Sequence, residues 1–276
     1  MKTGRRLFPP AEMPRAPRTS LRRRRRPMVR RFEVAVAGLD PRLAGLTIAH
    51  LSDIHVSALA RPRALERALE LVAAEHVELA LLTGDYVCLS LRSLPRFAAA
   101  LRRLAVPALA TLGNHDHRAG AAEVSATLIA AGIRVLRNEH ATVRLRGAEL
   151  HVIGVDDGAT RHADPDRAFR SVPGGGLRIA LTHDPRQTDR VAAHRPHLIL
   201  AGHTHGGQVD VPGVTHRIMR RRGFHYLAGE YQVGASRVYV NRGLGASLPL
   251  RVRVPSEIAL FTLVEQPRDR EGIVTP

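Results

Sequence analysis

Tryptophan is absent and aromatic residues make up only 4% of the chain. A stacking platform for single-stranded nucleic acid therefore has little to be built from. Cysteine occurs once, at Cys88, which excludes an intrachain disulfide framework and favours a cytoplasmic setting. No run approaches the roughly 20 apolar residues of a membrane span. The Arg-rich start invites a secretory or twin-arginine reading, but such signals need about 7–15 apolar residues after the charges. Here Arg30 and Arg31 are followed by a short segment broken at Glu33 and Asp40, and the expectation is that no export signal operates.

Acidic residues are scarce as well, 25 against 42 Lys and Arg, for a net charge of +17. The excess is uneven. Residues 1–31 hold 12 basic residues and one acid, Glu12, leaving 30 basic and 24 acidic residues for the rest of the chain. A Pro- and Arg-rich segment of this kind buries too little apolar surface to fold alone. The expected organisation is a disordered basic tail over 1–31, one folded domain over 32–265 and a loose end over 266–276. The tail suits peripheral contact with an anionic membrane on the inner face of the cell, at about 1 kcal/mol per basic residue near the surface. The plainer reading is a solvated extension.

What is present is a 44% hydrophobic body in which short apolar runs alternate with helical patterns. Leu46–Ser52, Leu79–Thr83 and Pro107–Leu112 read as buried strands, with helices at about Pro62–His76, Leu94–Leu104 and Gly120–Ala131. That order predicts a parallel sheet with crossover helices. Ala141–Leu145 and Glu149–Val155 read as a hairpin-like pair. Leu177–Leu181 and His197–Ala201 are further strands around a helix at about Pro185–His194, and Arg237–Asn241 and Ile258–Val264 complete the set.

Five clusters of metal-ligating residues end these strands in order: Asp53-Ile54-His55, Gly84-Asp85, Gly113-Asn114-His115-Asp116, Thr182-His183 and Gly202-His203-Thr204-His205. In α/β sheets, ligands gather outside the carboxyl ends of strands. A carboxylate has two oxygens and can bridge two cations, and Asn114 offers a neutral amide oxygen. Each cluster alone is ordinary turn or cap chemistry; all five in order point to a dinuclear hydrolytic site. Of the weaker candidates, Cys88 reads as a small buried residue near the site and His117 as a loop extension. Asp156 and Asp157 follow a strand and could touch a metal, but read rather as solvated loop acids, and Arg220–Arg222 as a solvated charge run or an anion receptor.

The complete set resembles the motifs of the calcineurin-like metallophosphoesterases over about residues 44–265. The resemblance implies a four-layer α/β/β/α sandwich of α/β class. It further implies two divalent metal ions, Mn, Fe or Zn. One would be held by Asp53, His55, Asp85 and His205, the other by Asp85, Asn114, His183 and His203. A hydroxide bridging the ions would attack phosphorus, His115 would protonate the leaving group, and Asp116 would orient the His115 ring. Histidine abundance argues against Mg or Ca at both positions.

Leu51–His55, His183-Asp184-Pro185, Gly202–Gln208 and Arg242–Gly245 are similar, more narrowly, to a bacterial membrane-associated branch. Some of its members hydrolyse UDP-2,3-diacylglucosamine in lipid A biosynthesis. The expected function is thus a phosphodiesterase or pyrophosphatase acting on a small phosphate ester or a lipid- or nucleotide-linked substrate. The alternatives are a metal-dependent nuclease and a non-catalytic scaffold on the same fold. Specificity is expected in the loops around 156–176 and 212–235.

Overall fold

A computed structural model describes residues 27–56, 63–246 and 251–266. Strand β1 (Met28–Val36) opens a six-stranded sheet, followed by β2 (Thr47–Leu51), β3 (Leu79–Thr83), β4 (Ala108–Thr111) and β5 (Ile133–Val135). β2 to β5 pair in parallel, as the alternation of apolar runs and helices predicts. The connections carry helices α1 (Arg63–Ala74), α2 (Leu94–Leu101) and α3 (Asn114–Ala130). In α1, Leu65, Ala68, Leu69 and Val72 are buried, the three-to-four residue spacing that puts one apolar face on a sheet.

The second sheet is built from β6 (Glu139–Leu145), β7 (Ala148–Val155), β8 (Leu177–Thr182), β9 (Leu198–Ala201), β10 (Gly229–Val233) and β11 (Ser236–Val240). β6 and β7 form the expected hairpin, and β7, β8 and β9 run parallel. Helices α4 (Pro165–Ala168), α5 (Thr188–Ala192) and α6 (Thr215–Arg221) belong to this half. The last strand, β12 (Glu257–Glu265), returns to the first sheet and lies between β1 and β2, parallel to the former and antiparallel to the latter. The sheet orders are β1-β12-β2-β3-β4-β5 and β10-β11-β9-β8-β7-β6.

Alternate residues of the central strands serve two cores. Ala80 and Leu82 of β3 pack with α1 and α2, while Leu79 and Leu81 face Leu150, Ile179, Leu181, Leu198 and Leu200 of the other sheet. On the far side of the second sheet, Ile153, Ala180 and Ile199 meet Ala168 of α4 and Val191 of α5. The layers are therefore helix, sheet, sheet, helix, and strands covered on both faces read as unbroken apolar runs.

Three expectations change. β1 begins at Met28 and is paired with β12 from its first residue, Met28 opposite Glu257, so the folded domain reaches into the segment expected to be a tail. Residues 1–26 and 267–276 lie outside the described residues. A helical stretch from Asn114 precedes the helix expected from about Gly120, and Gly120, at φ 146° and ψ 88°, is the non-helical break between the two. The specificity loops contain α4, α6 and β10. Among the described residues no helix is long and apolar enough to cross a membrane.

Candidate metal centre

All five clusters leave their strands at the seam between the two sheets, where β2, β3 and β4 meet β8 and β9. The loops interlock through backbone bonds: Asp53 N–H donates to Gly84 O at 3.0 Å, and His55 N–H to Asp85 O at 2.9 Å. Side chains on the glycines would break this contact. A Cβ on Gly84 would collide with Gly113 N, and one on Gly202 with Ser52 Oγ. Asp53, His55, Asp85, His203 and His205 all adopt positive φ, between 48° and 71°, in the left-handed region that L-residues enter at a cost.

Asp53 is fully buried. Its Oδ2 accepts from Ser52 Oγ at 2.6 Å and from His203 N–H at 3.0 Å. Its Oδ1 stands 3.4 Å from His205 Nε2 and 3.9 Å from His55 Nε2. Asp85 divides its oxygens in the same way. Oδ1 accepts from His115 N–H at 2.8 Å, while Oδ2 faces His183 Nε2 at 3.3 Å, His55 Nε2 at 3.5 Å and His115 Nε2 at 4.0 Å. His55 Nε2 and His205 Nε2 are 3.1 Å apart, and so are His203 Nδ1 and His183 Nε2. Thr83 O lies 2.6 Å from His183 Nδ1, so Nδ1 carries a proton and Nε2 is the nitrogen turned toward Asp85.

Two donor sets result, Asp53–His55–His205 and Asp85–His183–His203, each with its atoms within 4.8 Å of one another. His55 and His115 also lie that close to Asp85. Asn114 Oδ1 is buried without a hydrogen-bond partner among the described residues. Such convergence of ligand atoms short of hydrogen bonds is costly unless a cation fills it. The residues present fit two divalent ions.

The electrostatics agree. Burial holds His55 and His203 at about 4, far below 6.5, and lowers His205 as well, so these rings are neutral donors at pH 7. Burial would lower His183 too, but Asp85 foremost and then Asp53 drive it well upward. Burial opposes the ionisation of Asp85, yet His183 and then His55 hold its carboxyl far below the usual range. Both shifts record a charge attraction across a site with little solvent.

Six expected ligands, Asp53, His55, Asp85, His183, His203 and His205, are brought together; Asn114 follows Gly113 into the same loop with its Oδ1 buried, and the His115 ring is edge-on to His55 at 4.8 Å. Asp116 behaves differently from the expectation. Its carboxylate accepts from Asp85, Tyr86, Val87 and Gly113 N–H at 2.8, 2.9, 3.3 and 2.9 Å. Four acceptor positions spent on backbone leave none to orient the His115 ring. Asp116 fixes the Asp85 loop instead. Burial and the nearby Asp85 push its acid to about 7 against the pull of those amides.

Four further residues close around the ligands or behind them. Cys88 Sγ lies 3.4 Å from His55 Nδ1, against the back of a candidate ligand. His117 is no loop extension: its Nε2 is 2.6 Å from Asp156 Oδ1 and its ring stacks on His162 at 4.1 Å. Asp156 and Asp157 are buried rather than solvated. Sequence showed that these groups follow strands; burial set by a neighbouring strand left no local signal.

The calcineurin-like phosphoesterase family profile matches residues 46–207. The chain is 31% identical over 226 residues to the uncharacterized metallophosphoesterase YkuE of Bacillus subtilis, covering 79% of each chain. It is 30% identical over 228 residues to phosphodiesterase YaeI of Escherichia coli, covering 80% of this chain and 83% of the other. Its fold matches a dimetal phosphatase from Danio rerio with a TM-score of 0.50 at 12% identity, over 80% of this chain and 94% of that one. With the motif set, the two-sheet fold and the donor clusters in agreement, the chain belongs to the calcineurin-like phosphoesterase family and is a phosphoric ester hydrolase.

Proposed function

We propose that the protein hydrolyses phosphodiester or phosphoanhydride bonds of a small lipid- or nucleotide-linked substrate with two divalent ions. The observation that carries this is Asp85: one buried carboxylate oxygen faces imidazoles of both donor sets. On this reading Asp53, His55, Asp85 and His205 hold one ion, and Asp85, Asn114, His183 and His203 the other. Bound there, the ions supply Lewis acidity toward the phosphoryl oxygens and lower the pKa of water.

The chain's own residues do the rest. Ser52 Oγ donates to Asp53 Oδ2, and His203 N–H is shared between Oδ2 and Oδ1, which fixes the carboxylate with Oδ1 toward His205 and His55. The Thr83 carbonyl sets the His183 tautomer. His115, whose side chain keeps 16% exposure, is the ligand-loop residue a substrate reaches, and it supplies a proton to the leaving oxygen. Buried Asp116 keeps the Asp85 and Gly113 loops in register.

A substrate with further negative charge is supported by Arg186. Its guanidinium is gripped by Asp184 through Nε and Nη2 and lies over the Phe224 ring, 4.7 Å from its centroid. Phe224 in turn is 5.4 Å from His203. A planar fork held in place beside the centre suits phosphate or carboxylate. The phosphodiesterase named among the relatives supports the preference for diesters, and UDP-2,3-diacylglucosamine is the first lipid-linked candidate to assay. Peripheral contact with an anionic membrane through residues 1–31 belongs to the same proposal.

The test compares Mn-reconstituted protein with Asp85→Asn on bis-p-nitrophenyl phosphate and p-nitrophenyl phosphate. Diester turnover should exceed monoester turnover and fall by about a thousandfold or more in the variant, the scale of removing a group central to catalysis. Absence of bound metal together with absence of turnover would sink the reading.

A further inference from the structure

Asp157 stands at the edge of the centre with one carboxylate oxygen unused. β7 and β8 run parallel with Val155 opposite Thr182, so Asp156-Asp157 and His183-Asp184 leave the sheet side by side. Asp157 is fully buried. Its Oδ2 accepts from Thr160 N–H at 2.6 Å and Thr160 Oγ1–H at 2.7 Å. Thr160 Oγ1, having donated its proton, accepts from His162 Nδ1–H at 2.9 Å. His162 stacks on His117, and His117 is bonded to Asp156.

The loop thus orients the carboxylate from behind through a chain of three residues. Oδ1 is left buried with no hydrogen-bond partner among the described residues. A Cβ on Gly158 would collide with the Gln187 side chain, so the loop after Asp157 packs on the turn Pro185–Gln187 that follows His183-Asp184.

A buried carboxylate oxygen without a donor is expensive, and this one is held by a network that has no other evident purpose. The plainer reading, an internal water sealed under the loop, would also fill the oxygen; the pairing of Val155 with Thr182, which sets Asp157 beside the His183 loop, favours solvent that belongs to the centre. The donor available on that side, when the centre is loaded, is solvent accompanying the ion.

We propose that Asp157 is a positioning residue of the centre, its Oδ1 accepting a hydrogen bond from a water that accompanies a divalent ion at His183 and His203. This rests on the reading of the centre as a two-ion site. Oriented carboxylates beyond the direct ligands commonly contribute 10–100-fold to metal affinity. Asp157→Asn is the informative change. The two Thr160 donors would claim the amide oxygen, so the amide NH2 would turn inward and place a donor where an acceptor is needed.

The test is calorimetric titration of Mn into the full, metal-stripped chain, for wild type, Asp157→Asn and Thr160→Val. Wild type should bind two ions. In Asp157→Asn one of the two affinities should fall about 10–100-fold while the other changes far less. Thr160→Val, which loses the support but keeps the acceptor, should give a smaller fall at the same ion. Thermal unfolding without metal shows whether each variant folds. Two unchanged affinities in a folded Asp157→Asn, or an equal fall in both, would overturn the proposal while leaving the two-ion reading intact. No Mn binding by wild type would overturn both.

Discussion

Two buried carboxylates, Asp85 and Glu257, both lie inside the seam between the sheets, and their surroundings differ in one respect. Glu257 is satisfied. Its Oε1 accepts from Tyr239 Oη–H at 2.8 Å and Arg242 N–H at 2.9 Å, and its Oε2 from Arg242 Nη1 at 2.8 Å. Asp85 Oδ2 instead faces three imidazole nitrogens at 3.3 to 4.0 Å, beyond good hydrogen-bond length. A closed network specifies how the sheets dock; an open one, with three rings around one carboxylate oxygen and none at good hydrogen-bond length, is built to be completed by something else. Burial and charge alone do not separate the two regions. The closure of the hydrogen bonds does.

The comparison can be broken most forcefully with one substitution in each region. Glu257→Gln should destabilise the protein by about 3 kcal/mol, because the Arg242 guanidinium loses its buried counter-charge. Asp85→Asn should cost the metal-free protein less, because His183, unlike Arg242, can give up its proton once the facing carboxylate is gone. Urea unfolding of both variants after metal stripping measures the contrast. Equal losses would mean that the two carboxylates do the same structural work.

Metal addition is a gentler probe of the same difference. At a hundredfold excess over Kd, one ion adds about 2.7 kcal/mol, which for a chain of this size raises Tm by roughly 5–10 °C. Differential scanning calorimetry with and without Mn should show that rise in wild type and Glu257→Gln. Asp85→Asn should lose most of it.

A smaller effect isolates a buried imidazole outside both regions. His50 is fully buried, with Nε2 2.8 Å from Thr83 Oγ1, and burial holds it at about 3. The unfolded chain takes up a proton near pH 6.5 that the folded ring refuses, so stability falls as pH drops through the window from 6.5 toward 3. Between pH 6.5 and 5.5 this one group accounts for about 1 kcal/mol. In His50→Asn, whatever its cost at neutral pH, that part of the acid loss should vanish from denaturation measured at the two pH values.

The central strands were legible because both their faces are apolar, and the ligands because they cluster at strand ends. β1 was not legible. Arg30, Arg31 and Glu33 interrupt it, and it is a strand only because β12 pairs along its whole length and takes Val34 and Val36 into the core. The start of α3 was hidden in Gly113-Asn114-His115-Asp116, a string that reads as a turn yet opens a helix. The work of Asp116 was illegible for a related reason. Its partners Asp85, Tyr86 and Val87 lie some thirty positions away, and only the parallel pairing of β3 with β4 brings the two loops together. Asp157 could be found as a strand-end acid, but its burial is decided by the loop that closes at Thr160 and His162.

The left-handed backbone at Asp53, His55, Asp85, His203 and His205 bears on how this centre is to be dissected. Each such residue stores about 1 kcal/mol, and alanine would keep that strain while deleting the ligand. Glycine would delete the ligand and release the strain, so it can return a protein that is sturdier and inert. Asparagine tolerates the same backbone and nearly the same volume as aspartate, which separates the chemistry of the side chain from the cost of its place. At the two left-handed aspartates, Asn exchanges report on metal and catalysis, whereas an alanine scan would mix two ledgers into one number.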